Sequence, residues 1–330
     1  MLLPAARGPL SRFVVDGLRT GSYREPPPVR EDPLTGDDLN LALTICYELH
    51  YEGFEGVDDD AEWDPRVIAF RSSLERAFEE ALAERVTFTD VEGADFTDTL
   101  MRLISRAGGP PLARFIECEA NVDQFKEFLI HRSAYQLKEA DPHSWVIPRL
   151  RGPGKAALVE IQADEYGGGR PDRVHAELFA KTMRSLSLDD TYGAFIDQLP
   201  GVTLAVVNLV SLFGLHRKWR GAAIGHLAAF EATSSEPNRR YGNGLRRLGF
   251  DGDATDFFDE HVEADSVHEQ IALHDLAGAF AAAHPRLSAD ILFGARALLV
   301  LESGWAGFLL DRWHSGQTSL AQAAPDLRIA

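Results

Sequence analysis

The chain has 330 residues, 45% of them hydrophobic, and a formal net charge of −18. That length holds one large or two small domains with a sizeable core. The acid excess argues against a nucleic-acid binder, which carries a basic stripe, and against docking on an anionic membrane surface.

Only Cys46 and Cys118 are present, too few for a disulfide framework or a zinc spacing, and both read as reduced core residues. The N-terminus MLLPAARGPLSRFVVDGLR has no basic segment followed by a long apolar run, so no secretory signal is expected. Apolar stretches such as Gly201–Leu215 are interrupted or too short to span a bilayer, and a cytoplasmic location is the expectation.

Residues 1–36 are rich in Pro and Arg, with PPP at 26–28, and read as a flexible arm. From Asp37 the pattern turns helical; LALTICYELH suits a helix by length and flanks. VDDDAEWDP reads as a loop with an N-cap before Pro65. Over Val67–Val86, the residues Ile68, Phe70, Leu74, Phe78 and Leu82 recur at intervals of two to four, the mark of a long helix. The break Gly108-Gly109-Pro110-Pro111 closes a helical appendage, 37–110, and leaves 111–330 as the main domain.

In the main domain, Asn121–Glu139, Lys155–Tyr166 and Arg173–Leu186 read as helices. A short one follows at Tyr192–Leu199, then the pair Val202–Phe213 and Arg217–Phe230. Asp256–His284 and Ser288–Trp313 end the series. Few stretches alternate as strands do, and no repeat recurs at a fixed period. The predicted class is all-α, a compact helical bundle.

The segment DEHVEADSVHEQ carries the strongest chemical signal. His261, Asp265 and His268 fall within a helical face about 60° wide at roughly 100° per residue. Two imidazoles and a carboxylate on one stripe suit Fe(II), Mn(II) or Zn(II). A solvated acidic face that happens to carry two histidines is the plain alternative, since Glu260, Glu263 and Glu269 share the helix.

In EIQADEYGGGRPDRVHAELF, Glu165 precedes His175 by ten residues. The three glycines and Pro171 forbid a straight helix between them, so a break could bring both side chains to one point. Local rules favour a helix end at Gly167 and a fresh start at Pro171. Glu231 ends an apolar run from Ala222 and needs a partner if buried. Glu139 ends its helix, and Glu127, four residues before His131, rivals it on the same helix. HExxH, P-loop, GxSxG, CxxC and Glu-x-x-His patterns are absent.

Taken in order, these residues resemble the heme-oxygenase-like di-iron oxidases, known as iron-containing redox enzymes, over about Asn121 to Trp313. The resemblance puts the early Glu at Glu139, the Glu–His pair at Glu165 and His175, the middle Glu at Glu231, and the late His-x-x-x-Asp-x-x-His at His261, Asp265 and His268. It implies a heme-oxygenase-like bundle with an N-terminal helical extension. It also implies about two Fe(II) per chain, O2 as co-substrate and an external electron donor. Glu165, His175 and His268 would lie at the heart of the chemistry, with Glu139 and Glu231 bridging or completing the shell.

Four carboxylates with two Fe(II) come near charge neutrality. Members of this family desaturate or fragment fatty acids, N-oxygenate amines, cleave amino acids or modify a tyrosine, and the spacing is closest to the N-oxygenating ones. A small amine or amino acid is therefore the expected substrate, with Arg132, Lys138 and Arg149 as candidate partners for its carboxylate. The other readings are a heme-handling or cofactorless enzyme, with His131 or His175 as heme ligand, and a non-enzymatic acidic helical interaction protein. No nucleic-acid or membrane partner is expected, and a homodimer is left open.

Overall fold

The computed structural model describes residues 1–86 and 95–321, apart from the side chains of Glu263, Asp265 and Ser266. Its helices are α1 (Pro9–Thr20), α2 (Asp37–Glu48), α3 (Pro65–Arg85), α4 (Phe96–Ser105), α5 (Leu112–Cys118), α6 (Val122–Gln136) and α7 (Asp141–Ser144). Then come α8 (Gly152–Glu165), α9 (His175–Ser185), α10 (Gly201–Leu215), α11 (Arg220–Arg247), α12 (Asp256–Gln270), α13 (Ala279–Ala283) and α14 (Ser288–His314). A π-helical segment, Ile271–Gly278, joins α12 to α13. Among the described residues there is no strand, so the all-α class holds.

The segment expected as a flexible arm differs from that reading. Its α1 starts with Pro9 in the first turn, where the missing N–H costs nothing. Leu10, Val14, Val15 and Leu18 form a buried stripe. Asp38 of α2 caps the helix: its carboxylate accepts from the N–H groups of Leu10 and Ser11 at 2.8 and 2.7 Å.

Helix α2 is buried nearly all round, with Leu39, Leu41, Leu43 and Ile45 fully enclosed. Each such side chain contributes about 1.5–3 kcal/mol. Two of its residues join it to α10: Asn208 donates to the Asn40 carbonyl at 2.9 Å, and Thr44 donates to Asn208 at 3.0 Å. The larger apolar cluster runs without a break from α1–α3 into α10, α11 and α14. A second, aromatic cluster gathers Phe125, Phe128, Phe179, Tyr241, Phe257, Phe258 and Trp305 beside it. Cys46 lies in the first cluster, whereas Cys118 is exposed and not a core residue.

Small residues set the closest helix crossing. A Cβ on Gly225 of α11 would stand 1.8 Å from the Ile291 carbonyl oxygen, and one on Gly294 of α14 would stand 1.9 Å from that of Ala222. Helix α11 continues well past Phe230, where the sequence pattern stopped, and carries Pro237 in its interior. Pro–Asn at 237–238 with two preceding serines looks like a stop. Here the helix persists, packed against α5, α12 and α14, and Thr233 and Ser234 turn their hydroxyls back onto the carbonyls of Ala229 and Phe230, both at 2.7 Å. The helical stretch Pro285–His314 is long and apolar enough to cross a membrane by length and composition; its Ile291, Ala295, Leu298, Trp305 and Leu309 are buried in the protein core.

Candidate metal centre

Helix α8 ends at Glu165, and Gly167, Gly168 and Gly169 all adopt left-handed φ values of 73°, 58° and 82°. A side chain at Gly167 would meet the Arg173 backbone at 2.7 Å, so only glycine permits so tight a return. The chain comes back to start α9 at His175. The helix breaks as the glycines imply, the new helix starts at His175 rather than at Pro171, and the break brings His175 Nδ1 to 2.7 Å from Glu165 Oε2.

Glu139 lies just beyond the end of α6, in a turn whose next residue, Ala140, has φ 75°. Helix α12 supplies His261 and His268 from one face. His261 Nε2 lies 3.5 Å from Glu139 Oε2, and His268 Nδ1 lies 3.5 Å from Glu165 Oε1 and 3.6 Å from Glu231 Oε2. Glu231 comes from the middle of α11. Six of the seven expected residues thus converge as two groups, Glu139–Glu165–His175–His261 and Glu165–Glu231–His268. Within each group the ligand atoms lie within 4.8 Å of one another, and Glu165 belongs to both. The backbone of Asp265 is in α12 between the two histidines; its side chain is outside the described ones.

Two imidazoles are held by their outer nitrogens. His261 Nδ1 meets the Phe257 carbonyl oxygen at 2.7 Å, so it carries the proton and Nε2 presents a lone pair to the centre. His268 Nε2 meets Asp164 at 3.2 Å, leaving Nδ1 turned inward. Asp164 was missed in the sequence because it looks like any exposed helix-end acid. Its adjacency to Glu165 was the available signal.

Burial raises the pKa of the Glu139, Glu165 and Glu231 carboxyls, and the nearby imidazoles pull them back. Burial, reinforced by His261, pushes His175 down to about 4. Burial also acts to lower His268, but Glu231, Glu165 and Asp164 outweigh it and lift it to about 9.

Among the described residues no lysine or arginine pairs with these three buried carboxylates; their ion-pair partners are histidines. Glu139 Oε2, Glu165 Oε2, His175 Nδ1 and His268 Nδ1 are buried without a hydrogen bond, despite the 2.7 Å approach of two of them. Buried polar atoms left this way cost several kcal/mol unless something else satisfies them. Three carboxylates and three imidazoles converging so closely fit one or two divalent cations, and mixed N,O donors suit iron.

The rival pair resolves away from the centre. Glu127 accepts from Trp313 Nε1 at 2.8 Å and from Ser319 Oγ at 2.6 Å. His131 is bonded through both nitrogens, to Thr203 at 2.7 Å and Ser319 at 3.0 Å. Of the candidate cations, Lys138 pairs with Glu48, and Arg149 donates to the carbonyls of Gly214 and Leu215. His143 and His226 are buried and face each other at 3.2 Å.

A cavity of about 340 Å3 adjoins His261. Phe128, Phe230, Tyr241, Phe257 and Trp305 wall it. Its charged spot is the Arg132–Glu302 pair, bidentate at 2.7 and 2.9 Å, with the guanidinium 4.0 Å over Trp305. A much smaller space, about 10 Å3, lies among Glu139, Glu165, Glu231, His261, Tyr135, His143 and Gln162, room for about one water-sized occupant.

A nitrosourea synthase from Streptomyces achromogenes subsp. streptozoticus is 25% identical to the chain over 274 residues, 78% of this chain and 58% of that protein. The chain thus spans little more than half the length of that relative. The family model described as iron-containing redox enzyme matches residues 126–303, which hold all seven expected ligands. The chain belongs to the iron-containing redox enzyme family.

Proposed function

We propose that the chain is a non-heme di-iron oxidoreductase that uses O2 to oxidise a small amine or amino acid, with N-oxygenation as the leading outcome. The observation that carries this reading is Glu165, shared by two adjoining groups of buried donors. Glu139, Glu165, His175 and His261 would hold one ion. Glu165, Glu231 and His268 would hold the other, with Asp265 completing the shell. The resemblance implies that Glu139 and Glu231 bridge or complete the shell; the two donor groups favour Glu165 as the shared ligand.

Bound there, a pair of Fe(II) ions would supply two electrons for the two-electron reduction of O2 beside the substrate, and an external donor would return the ions to Fe(II). The chain's own residues do the rest. Phe257 and Asp164 fix the His261 and His268 rings through their outer nitrogens. Tyr135 lines the small space as a neutral phenol, because burial and the neighbouring carboxylates push its pKa well above the ordinary value. It therefore keeps its proton on Oη, where a hydrogen bond can be offered. Phe128, Phe230, Tyr241, Phe257 and Trp305 give the larger cavity an aromatic side next to His261.

The substrate class rests on the Arg132–Glu302 pair. A guanidinium and a carboxylate side by side on a wall that also carries Gln136, Thr233, Ser234 and Asn238 suit a zwitterionic amino acid better than a long acyl chain. The relative's name supports the outcome, since a nitrosourea contains a nitrogen–oxygen bond. The test is an oxygen-electrode screen of Fe(II)-loaded protein with a reductant, comparing amino acids, simple amines and fatty acids. Substrate-dependent uptake with an amino acid or amine supports the reading. Stimulation by fatty acids alone would contradict it.

A further inference from the structure

Helix α2 ends on Glu48, a buried carboxylate at the negative end of a helix dipole, unfavourable on both counts. Its partner is Lys138, and each side chain is 4% exposed. Tyr192 donates its hydroxyl to the other Glu48 oxygen at 2.5 Å. Lys138 Nζ also sits 3.9 Å from the centre of the Tyr51 ring. Tyr51 in turn stacks on Trp145 at 4.5 Å and bonds Ser211 at 2.9 Å. Glu48 and Tyr51 thereby hold the two ends of the segment 138–145.

That segment contains Glu139 and the left-handed Ala140, a conformation that costs an L-residue energy and persists only when its surroundings enforce it. From the opposite side, Gln162 donates to the Ala140 carbonyl at 2.7 Å, and Tyr166 donates to Asp141 at 2.7 Å. Gln162 lies one turn before Glu165 on α8. The turn that presents Glu139 is therefore clamped between the N-terminal extension and the helix carrying the shared ligand.

We propose that the N-terminal extension positions the metal centre, with Glu48 as the positioning residue: through Lys138 it holds the Ala140 turn so that Glu139 faces His261. Glu48 and Tyr51 lie outside residues 126–303, the span matched by the family model. A buried ion pair is a poor source of net stability, since apolar replacements of similar size are often neutral or better. What it supplies is a single geometry for the turn. The inference rests on the metal-centre reading above.

The test is anaerobic Co(II) titration of the full chain, followed by visible absorbance and metal content, alongside thermal melting. The variants are Glu48→Gln and the double variant Glu48→Leu/Lys138→Met, which removes both charges and leaves none buried alone. The double variant is expected to fold and melt near the wild type. Both are expected to lose about 10–100-fold in Co(II) affinity at one site, that of Glu139 and His175, with a changed visible spectrum, while the site of Glu231 and His268 holds. Unchanged titrations in a folded variant overturn the proposal, as does equal weakening of both sites, which marks a general structural role. A wild-type chain that takes up no Co(II) overturns the metal-centre reading itself, and the proposal with it.

Discussion

Glu165 of α8 and His268 of α12 are 103 residues apart in sequence, yet Glu165 Oε1 lies 3.5 Å from His268 Nδ1 while its other oxygen lies 2.7 Å from His175. One carboxylate at the end of α8 thus joins the donors of α9 to those of α11 and α12. Glu165→Ala should therefore abolish binding of both ions, whereas Glu231→Ala should abolish one. Isothermal titration with Fe(II) under anaerobic conditions separates these outcomes; equal stoichiometry in the two variants would count against a shared ligand.

Metal should also stabilise the fold, because the donors converge only in the native state. At free Fe(II) about 100 times its Kd, each occupied site should add about 2.7 kcal/mol. Urea unfolding with Fe(II) and with a chelator measures the difference. Identical midpoints would show that the buried donors bind nothing.

How much of this centre was readable in the sequence depends on the range of each contact. The His261 and His268 stripe follows from helical geometry alone, and Glu231 stood out as an acid ending an apolar run. The choice between Glu139 and Glu127 did not, because Glu127 is occupied by Ser319 and Trp313, nearly two hundred residues away. The helix Pro9–Thr20 was obscured by the prolines that follow it, although Leu10, Val14 and Leu18 already showed a four-residue spacing. The continuation of α11 through Pro237 and the π-helical segment after α12 are set by packing, for which no local residue pattern speaks.

The α11–α14 crossing should be intolerant of a single methyl group. In Gly294→Ala the new Cβ would fall 1.9 Å from the Ala222 carbonyl oxygen, so the helices must separate. A loss of about 1–3 kcal/mol or more is expected, read by urea unfolding. Because α11 also carries Glu231, Fe(II) affinity should fall as well. A variant as stable as the wild type would mean that this crossing is looser than it looks.

Acid should destabilise the apoprotein partly through His131. Burial, with Arg132 adding to it and Glu127 opposing, pushes its pKa down to about 3. The unfolded chain, with an ordinary histidine near 6.5, binds the proton first. The stability from keeping this ring neutral is therefore complete above about pH 6.5 and is lost as pH falls toward about 3. His131→Gln, which can keep one bond to Thr203 or Ser319, should show a smaller stability loss between about pH 7 and pH 5 than the wild type. Parallel curves would place the acid sensitivity elsewhere.

The central claim, a two-ion centre built around Glu165, is tested most directly by anaerobic Fe(II) titration of the wild-type chain, followed by exposure to O2 and Mössbauer spectroscopy of the product. An end point of about two Fe(II) per chain and, after O2, the spectrum of magnetically coupled ferric ions are expected. An end point of one ion, or of none, or uncoupled ferric ions after O2, would contradict it.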